Sequence, residues 1–204
     1  GKHITAAEAL ELGLCDKVLT MPETTIEKTK PEHVVRMNGS FSNDQAVFDL
    51  QVSLHNWLED QANDGRPIRV YFTSWGGTVV QALSLYGLLC EAQRQGHHVT
   101  IQVMGEAYSC ALWFCTCAIK AGTVLLDRDA MLMFHPPWMS SLECDLDIAD
   151  ELLSAELAIY QQTTKLLQLA PGFTDELIAR WEASPADQYF TANEAVELGL
   201  GKLA

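Results

Sequence analysis

The sequence predicts an α/β fold built on a largely parallel sheet. Short runs rich in β-branched and aromatic residues alternate with longer segments whose apolar residues recur at helical spacing, a βαβ rhythm. With 204 residues, 48% of them hydrophobic and 20% charged, the chain can bury one substantial core. Helices are expected to flank the sheet.

The elements follow in order. Val34-Val35-Arg36-Met37 reads as a strand, and Val47, Leu50, Leu54 and Leu58 mark a helix over about 43–61. Asn63-Asp64-Gly65 turns the chain into a strand over 68–73, and a helix over 78–94 ends before Gly96. A strand over 99–104 ends in Gly105, and the small, apolar stretch beyond it reads as a helix over 109–119. Strands over 123–126 and 131–135 come next. Ile148, Leu152, Ala155, Ile159, Leu166 and Leu169 stripe a longer helix that Pro171-Gly172 stops. Another helix starts near Thr191.

Charge narrows the function. A net charge of −14 leaves no basic stripe for nucleic acid and disfavours an anionic membrane surface. No apolar run is long enough to span a bilayer, and the first residues lack a basic-then-apolar signal sequence. The six cysteines lie mostly in apolar helical stretches and read as reduced core thiols. Cys115-Thr116-Cys117 has no second pair at ligand spacing, so no metal is expected. Cys110, by its position, is the thiol expected to meet alkylating agents. His97 and His98 read as solvated, and His33 has no assigned role.

Chemistry concentrates at three places. Ser109 lies in Gly105-Glu106-Ala107-Tyr108-Ser109-Cys110-Ala111, a strand-to-helix turn that would expose a hydroxyl beside a helix N-terminus. His135 ends Met133-Phe134-His135-Pro136, and Asp187 precedes Phe190-Thr191-Ala192. Such a set works as nucleophile, base and orienting carboxylate only where folding unites it. Upstream, Ser74-Trp75-Gly76-Gly77-Thr78 offers a glycine pair whose amides could bind an oxyanion or an extended peptide. Alone, it also fits an ordinary strand-to-helix turn.

Together these stretches resemble the Clp proteolytic-subunit family of serine peptidases, within the crotonase-like superfamily. The family carries a Ser-Pro-Gly-Gly turn, a Gly-x-Ala-Ala-Ser-Met-Gly nucleophile turn, a Met-Ile-His-Gln-Pro strand end and an Asp shortly before Ser-Ala-x-Glu-Ala-x-x-Tyr-Gly-Leu. The matching stretches here are 74–77, 105–111, 133–137 and 187–200, and the resemblance runs over about 33–204. It implies a ββα-superhelix with a protruding handle helix, the striped segment from Leu146 to Leu169. It also implies Ser109 as nucleophile, His135 as general base and acid, Asp187 as orienting carboxylate, and an oxyanion hole from the Gly77 and Cys110 amides. Substrate, a peptide or unfolded protein, would add along Gly76, Gly77 and Thr78. No cofactor or metal is implied. The setting would be cytoplasmic, with homo- or hetero-oligomeric rings, a chamber, and a Clp-type ATPase as a partner left open. Trp75 replaces the family's proline, Tyr108 an alanine, Cys110-Ala111 the Met-Gly pair and Pro136 a glutamine, which leaves substrate preference open. Two other readings compete: a catalytically idle assembly subunit and a crotonase-type acyl-CoA enzyme.

A repeat sets the expected domains. Thr5-Ala6-Ala7-Glu8-Ala9-Leu10-Glu11-Leu12-Gly13-Leu14 recurs as Thr191-Ala192-Asn193-Glu194-Ala195-Val196-Glu197-Leu198-Gly199-Leu200. The shared element is a helix with a Thr-x-x-Glu start and a terminal glycine. Residues 1–20 therefore read as the tail of a preceding peptidase domain, 21–32 as a linker and 33–204 as the peptidase domain. The chain would be tandem-derived or processed, with a phage-type member and a piece of a larger fusion both left open.

Overall fold

The β-branched runs form one seven-stranded sheet in a computed structural model that describes residues 31–42, 45–63, 65–120, 122–135 and 146–204. The segment expected over 1–20 and nearly all of the linker lie outside the described residues. The strands are β1 (His33–Asn38), β2 (Ile68–Ser74), β3 (Val99–Tyr108), β4 (Thr123–Leu126), β5 (Met131–Phe134), β6 (Gln188–Thr191) and β7 (Lys202–Leu203). The helices are α1 (Gln45–Glu59), α2 (Val79–Arg94), α3 (Cys110–Phe114, continued by a 3₁₀ turn over Cys115–Ala118), α4 (Leu146–Leu167), α5 (Asp175–Glu182) and α6 (Ala192–Glu197).

Strand order is β1-β2-β3-β4-β7, with β5 also on β3 and β6 on β5. Among the described residues, only the β5–β6 pair is antiparallel. The mostly parallel α/β architecture expected of the chain is therefore present. One boundary differs. β3 continues past Gly105 to Tyr108, because it changes neighbour on the way: Thr100 to Val103 pair with β4, and Glu106 to Tyr108 pair with β5. Its register against β2 shifts between Phe72 and Ser74, where extra residues of β3 bulge.

Burial alternates along the strands. Val35 and Met37 of β1, Ile68, Val70, Phe72 and Ser74 of β2, and Val99, Ile101, Val103 and Ala107 of β3 are buried. They share one core with Leu54 of α1, Leu85 and Leu89 of α2 and Leu112 of α3. The intervening residues Arg36, Arg69, Gln102, Met104 and Glu106 are half-buried or exposed. On β1, β2 and β4 the core thus lies mainly on one face, while β3 is buried from Val99 to Ile101 and β5 from Leu132 to Phe134. A parallel sheet covered on both faces carries nearly continuous apolar strands, and of these strands only β5 and the start of β3 approach that pattern.

Phe41, Phe72 and Phe114 form the centre of the core beneath the strand ends. Their ring centroids lie 5.0 to 6.1 Å apart and none is exposed. The cluster joins the chain after β1, strand β2 and helix α3. It thereby fixes the two turns that carry the candidate chemistry.

The C-terminal copy of the repeat folds as its pattern requires. The Thr191 hydroxyl accepts from the Glu194 amide, while the Glu194 carboxylate accepts from the Thr191 amide. Gly199 follows with φ +79°. Among the described residues, no helix is long and apolar enough to cross a membrane.

Candidate active site

Strand β3 delivers Ser109 to the carboxyl edge of the sheet in an unusual backbone state. Its φ of 58° and ψ of −127° make it the one non-glycine at positive φ among the described residues. An L-residue held there costs roughly 1–3 kcal/mol, and such strain collects at functional sites. The surroundings enforce it. The Ser109 amide donates to Met133 O at 2.9 Å, and Ser109 O accepts from Leu112 N at 3.0 Å. Although a serine preceding a helix is a favoured cap, its side chain makes no capping hydrogen bond. The hydroxyl is left for other use.

The preceding turn packs directly on this one. Gly76 (φ +91°) comes so close to Ser109 that a Cβ on it would stand 2.6 Å from Ser109 Cβ and 2.7 Å from Tyr108 O. A Cβ on Gly77 (φ +127°) would stand 2.7 Å from Phe41 O. The glycine pair is thus required twice over, by conformation and by space.

Main-chain bonding shows which groups of the turn are available. Phe41 N donates to Gly76 O at 2.7 Å, and Thr78 N donates to Phe41 O at 2.6 Å. Gly76 N donates to the buried hydroxyl of Ser74 at 3.1 Å. Extended backbone points successive polar groups to opposite sides, so Gly77 turns its N–H and C=O away from Phe41. That side is the Ser109 side, since Cys110 Sγ donates to Gly77 O at 3.5 Å. The Cys110 amide is the first of α3 and has no acceptor within the helix. Of the three residues of the turn, Gly76 and Thr78 are thus tied to Phe41 and Ser74 through their main chain, while Gly77 faces the Ser109 side.

The other two candidates come from the adjoining strands. Tyr108 pairs with Met133 across β3 and β5, so Ser109 and His135 leave neighbouring parallel strands at the same edge. Both line one cleft, with Val79, Leu112, Phe134 and Leu167 on its apolar walls. The β5–β6 ladder runs Met133 to Tyr189 and Phe134 to Gln188. The ladder closes there, so His135 directly follows β5 and Asp187 directly precedes β6 at the same end of the pair.

Several neighbours differ from expectation. Cys110 is only 3% exposed, and burial pushes its thiol up to about 12. It therefore stays neutral near pH 7 and is a poor target for alkylation, contrary to the expectation for a residue beside Ser109. Cys115 and Cys117 are buried and also shifted up by burial, as core thiols should be. His97 is buried rather than solvated, with Nδ1 2.7 Å from Arg66 O and its ring against Trp57. His33 stacks on the same indole at 4.2 Å, and burial lowers its pKa. Among the described residues, no three His, Cys, Asp or Glu side chains converge as a metal-binding group.

The comparisons agree with this architecture. A family profile described as Clp protease matches residues 32–202. The chain is 25% identical over 182 residues to the "ATP-dependent Clp protease proteolytic subunit 1" of Mycobacterium bovis, covering 89% of this chain and 86% of the relative. The same figures hold for the proteins so named from two strains of Mycobacterium tuberculosis. With nearly the whole described sheet and its helices inside the match, the chain belongs to the Clp protease family.

Proposed function

We propose that the protein is a serine endopeptidase that hydrolyses unfolded polypeptides or short peptides through Ser109, His135 and Asp187. The observation that carries this reading is the strained Ser109 sharing a cleft with His135. His135 takes the proton from Ser109 Oγ as that oxygen attacks the substrate carbonyl carbon. The Gly77 and Cys110 amides donate to the developing oxyanion, and Asp187 holds the imidazolium. His135 then protonates the departing amine. Water, deprotonated by the same imidazole, cleaves the acyl-serine.

We place this activity inside an oligomeric ring chamber in the cytoplasm. Support comes from the relatives' name as proteolytic subunits of an ATP-dependent protease, from Leu157, 52% exposed on α4, and from the free thiols Cys90, Cys110, Cys115 and Cys117. A Clp-type ATPase is the matching partner. The test is labelling with a fluorophosphonate. Stoichiometric modification of Ser109, lost in Ser109→Ala, supports the peptidase. Absence of labelling in the assembled protein, together with no peptide cleavage, overturns it.

A further inference from the structure

The more exposed face of the sheet beside Ser109 carries a group of side chains that the peptide chemistry leaves unused. Trp75 Nε1 donates to Glu106 Oε2, and the Tyr108 hydroxyl lies 3.5 Å from Glu106 Oε1. The Tyr108 and Tyr189 rings meet edge to face at 5.6 Å. They flank Met133, to which both are paired across β3, β5 and β6. Trp75 is 63% exposed and Tyr189 56%, so their ring surfaces are open. Glu106 forms no ion pair among the described residues, and a carboxylate accepting two bonds keeps further lone pairs. Burial and then the Glu106 charge raise the Tyr108 pKa, which keeps that phenol a neutral donor.

A carboxylate bordered by exposed aromatic rings suits one class of group, a cation with an alkyl stem. The rings attract the charge and cover the stem, and the carboxylate takes the hydrogen bonds. Position ties this group to the site. Trp75 precedes Gly76, which packs on Ser109, and Tyr108 precedes Ser109 itself. Ser109 thus stands on the rim between the apolar cleft on the helix side and the aromatic group on the other face. An extended peptide crossing that rim sends successive side chains to opposite sides. Resting on the peptidase reading, we propose that Trp75, Glu106, Tyr108 and Tyr189 form a substrate subsite for a lysine or arginine adjacent to an apolar residue seated in the cleft. The net charge of −14 favours approach of such cationic peptides.

The test separates binding from hydrolysis. Three fluorescein-labelled peptides, each with one leucine flanked on both sides by Lys, Gln or Glu, are titrated by anisotropy against the full chain carrying Ser109→Ala. The Lys peptide is expected to bind about tenfold tighter than the Glu peptide at low salt. Adding Glu106→Gln reduces that ratio to about twofold, Glu106→Asp retains it, and Trp75→Leu weakens Lys over Gln. Equal binding of the three peptides, no binding of any, or a ratio unmoved by Glu106→Gln overturns the subsite. Lys-selective binding with neither hydrolysis nor fluorophosphonate labelling of the unsubstituted, assembled protein leaves the subsite standing and removes the peptidase. Hydrolysis without Lys preference does the reverse.

Discussion

The turns after β2 and β3 both carry the chain from a parallel strand into a helix at the same edge of the sheet. They solve the problem differently. After β2, the left-handed backbone falls on Gly76 and Gly77, where it involves no Cβ. After β3, it falls on Ser109, where every L-side chain is strained. A glycine at position 109 would be easier to fold. The difference teaches that the first turn is shaped for close approach, while the second keeps a hydroxyl at the expense of stability. Strain kept at one residue, when the turn next to it is relieved by glycine, is the mark of a site.

The largest expected effect is chemical. Ser109→Ala keeps the Cβ and hence the backbone conformation, and removes only the oxygen. Peptide hydrolysis should fall on the order of 10⁴-fold or more, with the urea midpoint essentially unchanged. Retention of even a tenth of the turnover in a clean preparation would mean that the strained serine is not the nucleophile.

Next comes the support beneath both turns. Phe41 is fully buried against Phe72 and Phe114, and its backbone carries two of the bonds that fix Gly76 and Thr78. Phe41→Ala should destabilise by about 3–5 kcal/mol. Phe41→Leu, which fills more of the space, should lose less stability while still slowing fluorophosphonate labelling of Ser109. If labelling follows stability alone across the two variants, Phe41 supports the core and not the turns in particular.

Gly76→Ala tests the close approach itself. The new Cβ would stand 2.6 Å from Ser109 Cβ, so one turn must move. A displacement near 1 Å at a reacting atom lowers rate by about 10²-fold. Single-turnover acylation measures it. An acylation rate within threefold of the unsubstituted protein would show that the two turns are not mechanically coupled.

Much of this arrangement was legible beforehand, and the gaps have physical causes. The strand over 123–126 and the helix beginning near Val79 emerge where apolar runs and spacing place them. The Thr191–Glu194 cap was written in its four-residue motif. By contrast, Gly105 reads as a strand end, and only the switch of β3 from β4 to β5 carries the strand beyond it. β7 is too short for any periodicity to register, and β6 (Gln188-Tyr189-Phe190-Thr191) lacks the aliphatic run that marks β4. α5 did have a signal, Thr174 ahead of Asp175-Glu176, and its hydroxyl does accept from Leu177 N at 3.3 Å. The alternation of Arg36, Arg69, Gln102 and Glu106 with apolar residues likewise pointed to strands with one face more buried than the other. For the site, residue types and motifs pointed to Ser109, His135 and Asp187. The ladder that ends beside the last two exists only once β6 pairs with β5. The burial of His97 has no local signal, because it depends on Trp57, forty residues away in sequence and on another element.

The smallest expected effect is the most direct reading of the contrast between the turns. Ser109→Gly abolishes hydrolysis as Ser109→Ala does, but it also removes the Cβ that is strained at φ 58° and ψ −127°. Relief of that strain contributes roughly 1–3 kcal/mol. Against it stands about 0.5–1 kcal/mol for the greater freedom of glycine in the unfolded chain. The balance is a net stabilisation of about 1 kcal/mol relative to Ser109→Ala, or about 2–4 °C in melting temperature for a chain of this size. Both variants are compared at one protein concentration, so that assembly contributes equally. Gly76→Ala placed on each background extends the measurement. With Cβ gone from residue 109, the 2.6 Å conflict with an alanine at position 76 loses its nearest atom, although the approach to Tyr108 O at 2.7 Å remains. Gly76→Ala should then be less destabilising on the Ser109→Gly background by about 0.5–1 kcal/mol, a non-additivity expected of residues in contact. A Ser109→Gly protein no more stable than Ser109→Ala, with additive effects at position 76, would mean that Ser109 is not strained in the folded protein, and the distinction between the two turns would fall.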